Sequence, residues 1–142
     1  MTPTAQDLLN ACIMTLATPP RPEDAGMFAA ARLRLVALTT KLAAMESADA
    51  AAIRVRENTT LRIILAEAGP VHGIAADKLP DDGDYSIAVL DAANAALRRL
   101  LICLHEAAEQ AGDRALDRRI LKLYRDMAGW RELHLPPVKP AS

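Results

Sequence analysis

Apolar positions along the chain recur at steps of three and four residues, the spacing of one face of a helix, and the pattern predicts helices and little else. Leu8, Leu9, Cys12, Ile13 and Leu16 predict a first helix over 4–18. Thr4, with Asp7 three residues on, is a near-match to the capping box that opens it. The run Pro19-Pro20-Arg21-Pro22 ends it, because consecutive prolines fix φ and remove donors. Pro22 then suits the first turn of a second helix, with Glu23 and Asp24 on the favourable side of its dipole.

That second helix, 23–46, places Phe28, Ala31, Leu35, Leu38, Leu42 and Met45 in a heptad seam. Ala29, Leu33, Val36 and Ala43 form another arc, roughly opposite it. A helix apolar on two sides is buried on both, or offers one of them to a partner. The seam loses phase after Met45, and Ser47 or Asp49 is placed to cap a third helix over 49–68 that ends at Gly69-Pro70. No Gly or Pro lies between 27 and 68, so one helix over 23–68 is the alternative. Residues 69–84 read as a long irregular connection, anchored by Val71, Ile74 and Leu79, with Asp84 capping the next helix. That helix, 85–111, shows a seam at Leu90, Ala93, Leu97, Leu100, Leu104, Ala107 and Ala111. Gly112-Asp113 supplies a terminal glycine and a new N-cap back to back. A last helix, 114–133, repeats the pattern at Leu116, Ile120, Leu123, Met127 and Trp130, and 135–142 reads as an extended, mobile tail.

These elements predict an all-α fold with a single helical domain over 1–134. Its expected form is an up-and-down, roughly antiparallel four-helix bundle, with the short N-terminal helix packed across it. Composition agrees, since 29 Ala and 20 Leu outnumber the 21 residues of Val, Ile and Thr combined. A chain of 142 residues buries about two-thirds of its surface, enough for a self-supporting core. A net charge of −1 disfavours a nucleic-acid or anionic-membrane partner. Aromatics at 3% leave few platforms for stacking bases or flat cofactors. Two cysteines make no disulfide framework, and no apolar run approaches the ~20 residues of a membrane helix. Asp7, with no basic lead before the first apolar residues, does not fit a secretory signal. A cytoplasmic protein is therefore expected, and the bias of 13 Arg to 4 Lys fits a GC-rich bacterial genome.

Candidate chemistry is sparse. Helical bundles bind metals through Glu-x-x-His, yet no Glu stands three residues before His72, His105 or His134. His105-Glu106-Ala107-Ala108-Glu109 resembles the start of a zinc-protease helix, but Glu109 occupies the place of the second His. As a phosphoacceptor, His105 would stand among carboxylates that repel a phosphoryl group, so it reads as a partly exposed surface side chain beside Arg98 and Leu101. Cys12 and Cys103 read as small core residues. Asp77, Asp81, Asp82 and Asp84 lack the spacing of a calcium loop and read as solvated. No metal or cofactor is expected.

Glu57 is the most anomalous residue, at the centre of the arc formed by Ile53, Leu61, Ile64 and Ala68. A carboxylate there must be paired, protonated or at a subunit boundary, and an ion pair with an Arg is expected. The function expected is a non-enzymatic helical module that binds another protein or itself, as an adaptor, regulator or chaperone-like subunit. The alternative is a small-molecule-binding bundle or enzyme whose inter-helical pocket is anchored by Glu57, with His105 as a second polar anchor. Leu33 and Val36 are the expected homodimer contact, with the first helix or the 69–84 connection as the alternative cover. The stripe Arg114, Arg118, Lys122 and Arg125 is a solvated face that would suit an acidic partner.

Overall fold

The computed structural model describes residues 3–18, 22–75 and 79–132, and every regular element among them is helical. Four α-helices follow one another: α1 (Ala5–Ala17), α2 (Ala25–Ala68), α3 (Ile87–Ala111) and α4 (Arg114–Trp130). Turns of 3₁₀ helix occupy Pro22–Asp24 and Pro70–His72. The expected tail, His134 and Asp77 lie outside the described residues. No helix among the described residues is long and apolar enough to cross a membrane.

The expected third helix is corrected: it is not separate, and α2 runs unbroken for 44 residues through Ser47 and Asp49. Loss of apolar phase removes a packing surface, not a backbone hydrogen bond. The Ala-rich stretch after Met45, free of Gly and Pro, keeps the helical ladder closed. Five expected helices thus become four. The chain divides into two compact units inside α2, one running to Asp49 and the other spanning Ala50–Arg131.

In the first unit, Thr4 and Asp7 form the expected capping box of α1. Contacts between α1 and α2 run in opposite order along the two helices. The Ala5 amide donates to Glu46 Oε2 at 2.8 Å, the Cys12 thiol to the Val36 carbonyl at 3.6 Å, and Arg32 to the Thr15 and Thr18 carbonyls. Only Cys12 and Ala43 are buried apolar residues of this unit among the described ones.

The second unit has a larger core. Leu61, Ile64 and Leu65 from α2 pack with Leu97, Leu101, Leu104 and Ala108 from α3 and Leu116, Ile120, Leu123 and Met127 from α4. The α3 seam differs from the expected one. Its buried positions are Leu90, Ala93, Asn94, Leu97, Leu101, Leu104 and Ala108, so the 4–3–4 spacing passes through a polar residue and leaves Leu100 only half-buried. Ser86, not Asp84, caps α3, its hydroxyl accepting from the Val89 amide, while Asp84 accepts from the Ser86 amide. Gly112 ends α3 at φ 68°, and Asp113 caps α4 through the Ala115 and Leu116 amides, as expected.

Of the three expected loop anchors, Ile74 and Leu79 pack against this core and Val71 does not, being 83% exposed. Cys103 is likewise corrected from core to exposed, on the opposite side of α3 from Leu101 and Leu104.

Candidate functional site

The most unusual feature of the second unit is a chain of polar side chains at one end of its core. On α2, the positions that continue the Leu61–Ile64–Leu65 face toward the N-terminus are Asn58, Glu57 and Arg54, all buried. Glu57 has no exposed surface. Arg131, at the C-terminal end of α4, meets its carboxylate with two bonds, Nε to Oε1 and Nη2 to Oε2, each 2.6 Å. Asn94 of α3 donates to Glu57 Oε2 and to Asn58 Oδ1, both at 2.9 Å. Asn58 donates in turn to Asp82 Oδ1 at 2.7 Å and to the Leu90 carbonyl at 3.2 Å. Arg62 closes the chain, its guanidinium donating to both Asp82 oxygens at 3.0 and 2.6 Å and to the Pro80 carbonyl at 2.7 Å.

Two acids and two guanidinium groups balance, and the amides between them are oriented by acceptors on both sides. Among the described residues, no buried side-chain nitrogen or oxygen lacks a partner. A network so satisfied fixes the register of three helices and a loop, and both Glu57 oxygens are already engaged. Arg54 adds a bond to Asp91 at 2.7 Å, and the Arg56 guanidinium lies 4.1 Å from the centre of the Trp130 ring.

Asp82 corrects the reading of the loop acids as solvated, since it is buried under Arg62. The Arg62 guanidinium, and then Asn58, hold its carboxyl below the ordinary carboxylate range, against the opposing effect of burial. Nothing in the spacing of the loop acids marks Asp82, because its partners come from α2, some twenty residues back. The signal was on α2 itself, where Asn58 and Arg62 lie one turn apart on a face that also carries Leu61 and Leu65.

His105 is more enclosed than a free surface histidine, with 19% of its side chain exposed. Its Nε2 lies 2.9 Å from Asp117 Oδ1 on α4 and 3.9 Å from Glu109 Oε1 one turn along α3. Its ring centre is 5.7 Å from that of Tyr124. The Tyr124 hydroxyl is pushed up by burial, an effect that nearby Arg98 opposes. Asp117 is the residue that sequence reasoning missed beside the His105–Glu109 pair, because it comes from the next helix.

Among the described residues, shallow clefts open on this unit. One, of about 290 Å³, is lined by residues including His72, Asp113 and Arg119, with His72 Nε2 3.7 Å from Asp113 Oδ2. Another, of about 240 Å³, lies against Ile63, Lys122 and Asp126. Glu57 and His105 line neither. Arg114, Arg118, Lys122 and Arg125 are all exposed, and Lys122 pairs with Asp126 at 2.6 Å.

The first unit carries apolar surface instead of polar chemistry. Phe28, Leu35 and Leu38 of the α2 seam are exposed, as are Leu9, Ile13, Met14 and Leu16 of α1. Leu33 is exposed as well, at 64%, whereas Val36 is half-buried where α1 meets α2. Compared with protein-family models, curated proteins and solved structures, the chain matches none.

Proposed function

We propose that this protein is a non-enzymatic helical interaction module, an adaptor, regulator or chaperone-like subunit, and that it works as a homodimer joined through its first unit. The observation that carries this reading is the imbalance within that unit. Among the described residues, its buried apolar side chains are the small Cys12 and Ala43, while eight large ones, from Leu9 to Leu38, are 43–66% exposed. A two-helix hairpin that buries so little lacks the packing that stabilises helices in water. Monomeric proteins rarely leave such patches open.

A second copy is the occupant we favour, on area. Leaving out Leu33 on the opposite arc, the other seven half-exposed side chains offer on the order of 100 Å² each, close to the roughly 800 Å² per partner of a standard interface. A twofold axis covers the same patch on both copies with one self-complementary contact. Two hairpins brought together supply four helices, and Phe28, Leu35, Leu38 and Leu42 have the heptad spacing that such a seam uses. Leu33 lies on the arc opposite this seam and so outside the contact, and Val36 is at its margin because α1 already reaches it. An up-and-down, roughly antiparallel course of the helical segments within the second unit is part of the same reading. So are a bacterial, cytoplasmic setting and the lack of a nucleic-acid or membrane partner.

Sedimentation equilibrium of the wild type and of Leu35→Glu tests the proposal. The wild type should sediment as a dimer at micromolar concentration and the variant as a monomer. A wild type that stays monomeric at high micromolar concentration overturns it.

A further inference from the structure

The geometry points to a divalent transition-metal site, of the kind that takes Zn²⁺, formed by His105 and Glu109 of α3 with Asp117 of α4. This inference is independent of the self-association proposed above. His105 and Glu109 stand four residues apart, so both side chains leave α3 on the same face. Asp117 comes from the first turn of α4, after the chain has reversed at Gly112 and Asp113. One ligand atom from each residue lies within 4.8 Å of the other two. Zinc held tetrahedrally at about 2.0–2.1 Å by nitrogen and oxygen places its ligand atoms about 3.3 Å apart. The separations from His105 Nε2, 2.9 Å to Asp117 and 3.9 Å to Glu109, bracket that value. The Glu109 and Asp117 oxygens lie within 4.8 Å of each other, and the two carboxylates would turn toward the ion to close the site.

Charge and ligand type select the ion. A neutral imidazole and two carboxylates carry −2, which cancels a divalent charge. One nitrogen and two oxygens suit zinc and its neighbours, whereas calcium asks for six to eight oxygens and magnesium for a near-ideal octahedron of them. Glu109 is 64% exposed, which leaves the outer side of the site to water as the fourth ligand. Binding replaces the contact between His105 Nε2 and Asp117 Oδ1 with two bonds to the metal, and the imidazole proton then resides on Nδ1. The ion would tie the last turns of α3 to the first turn of α4.

Titration calorimetry of untagged, chelator-treated protein with Zn²⁺ is the test, with Co²⁺ absorption as the geometric readout. One Zn²⁺ should bind per chain, and Co²⁺ should give the intense visible bands of a tetrahedral site. His105→Ala and Asp117→Asn should each weaken binding at least about tenfold, as ligand or supporting-shell losses do, with helical circular dichroism unchanged. His72→Ala, which alters a different His–Asp pair, should leave binding intact. Absence of stoichiometric binding at micromolar Zn²⁺, or binding that survives His105→Ala undiminished, overturns the site.

Discussion

Arg131 and Glu57 are 74 residues apart in sequence and meet through two parallel 2.6 Å bonds, which join the end of α4 to the middle of α2. The pair is unevenly buried: the Glu57 side chain has no exposed surface, whereas that of Arg131 is 23% exposed. That asymmetry predicts unequal consequences for its two halves. Arg131→Ala strands a carboxylate with Asn94 as its remaining partner, and should cost about 3 kcal/mol or more. Glu57→Gln removes the charge but keeps shape and an acceptor, and leaves a guanidinium that can reach water, so it should cost less. Urea denaturation midpoints of the two variants decide the order, and equal, negligible shifts would show that the pair carries no stability.

Glu57 was legible from sequence as a carboxylate on an apolar arc, and its pairing with an Arg followed from the cost of burying a lone charge. Which Arg it is cannot be read from the sequence, because Arg131 lies 74 residues further on, at the end of another helix. Asn94 was missed for a different reason. A seam drawn through the Ala and Leu residues of α3 at 93, 100 and 107 is as regular as one through 94, 101 and 108, and apolarity favours the first. The second is buried because Asn58 and Glu57 wait opposite Asn94 with acceptors, information that resides on another helix. The caps at Thr4, Gly112 and Asp113 were legible because capping is local. The continuity of α2 is not legible in the sequence, because a change of packing face leaves the same pattern as a break in the backbone.

The Asp82–Arg62 contact predicts a pH dependence with a definite sign. In the unfolded chain an aspartate titrates near 3.9, and in the folded protein Arg62 and Asn58 lower the Asp82 value. Its contribution to stability is therefore fully present above about pH 4 and is lost as the pH falls through the folded value. Asp82→Asn should melt below the wild type at pH 7, and the gap between the two melting temperatures should narrow below pH 4. A gap of constant size from pH 7 to pH 2 would show that the charge of Asp82 is not what stabilises the loop.

Gly112 stands at φ 68° between α3 and α4, and a Cβ built there would meet nothing within 4 Å. The cost of Gly112→Ala is therefore conformational alone, roughly 1 kcal/mol for a left-handed residue with a side chain. Gly112→Asn should cost less, because a short amide tolerates this region. Denaturant midpoints of the three proteins test the ranking, and an alanine variant as stable as the wild type would mean that the turn relaxes out of the left-handed conformation.

The two cysteines provide a probe of whether pairing holds the first unit together. Cys12 is buried against α2, with its thiol on the Val36 carbonyl and beside Thr40, so it can react only when α1 lifts away. Cys103 is exposed on α3 and serves as the reference within the same molecule. If a second copy covers the apolar face of the hairpin, mass action stabilises the closed form as concentration rises. Local opening then becomes rarer. Labelling of Cys12 by a maleimide should slow markedly between low and high micromolar protein, while labelling of Cys103 keeps its rate. In Leu35→Glu, Cys12 should label fast at every concentration. A Cys12 rate independent of protein concentration in the wild type would show that α1 is held by α2 alone, and that the exposed seam does not pair with itself.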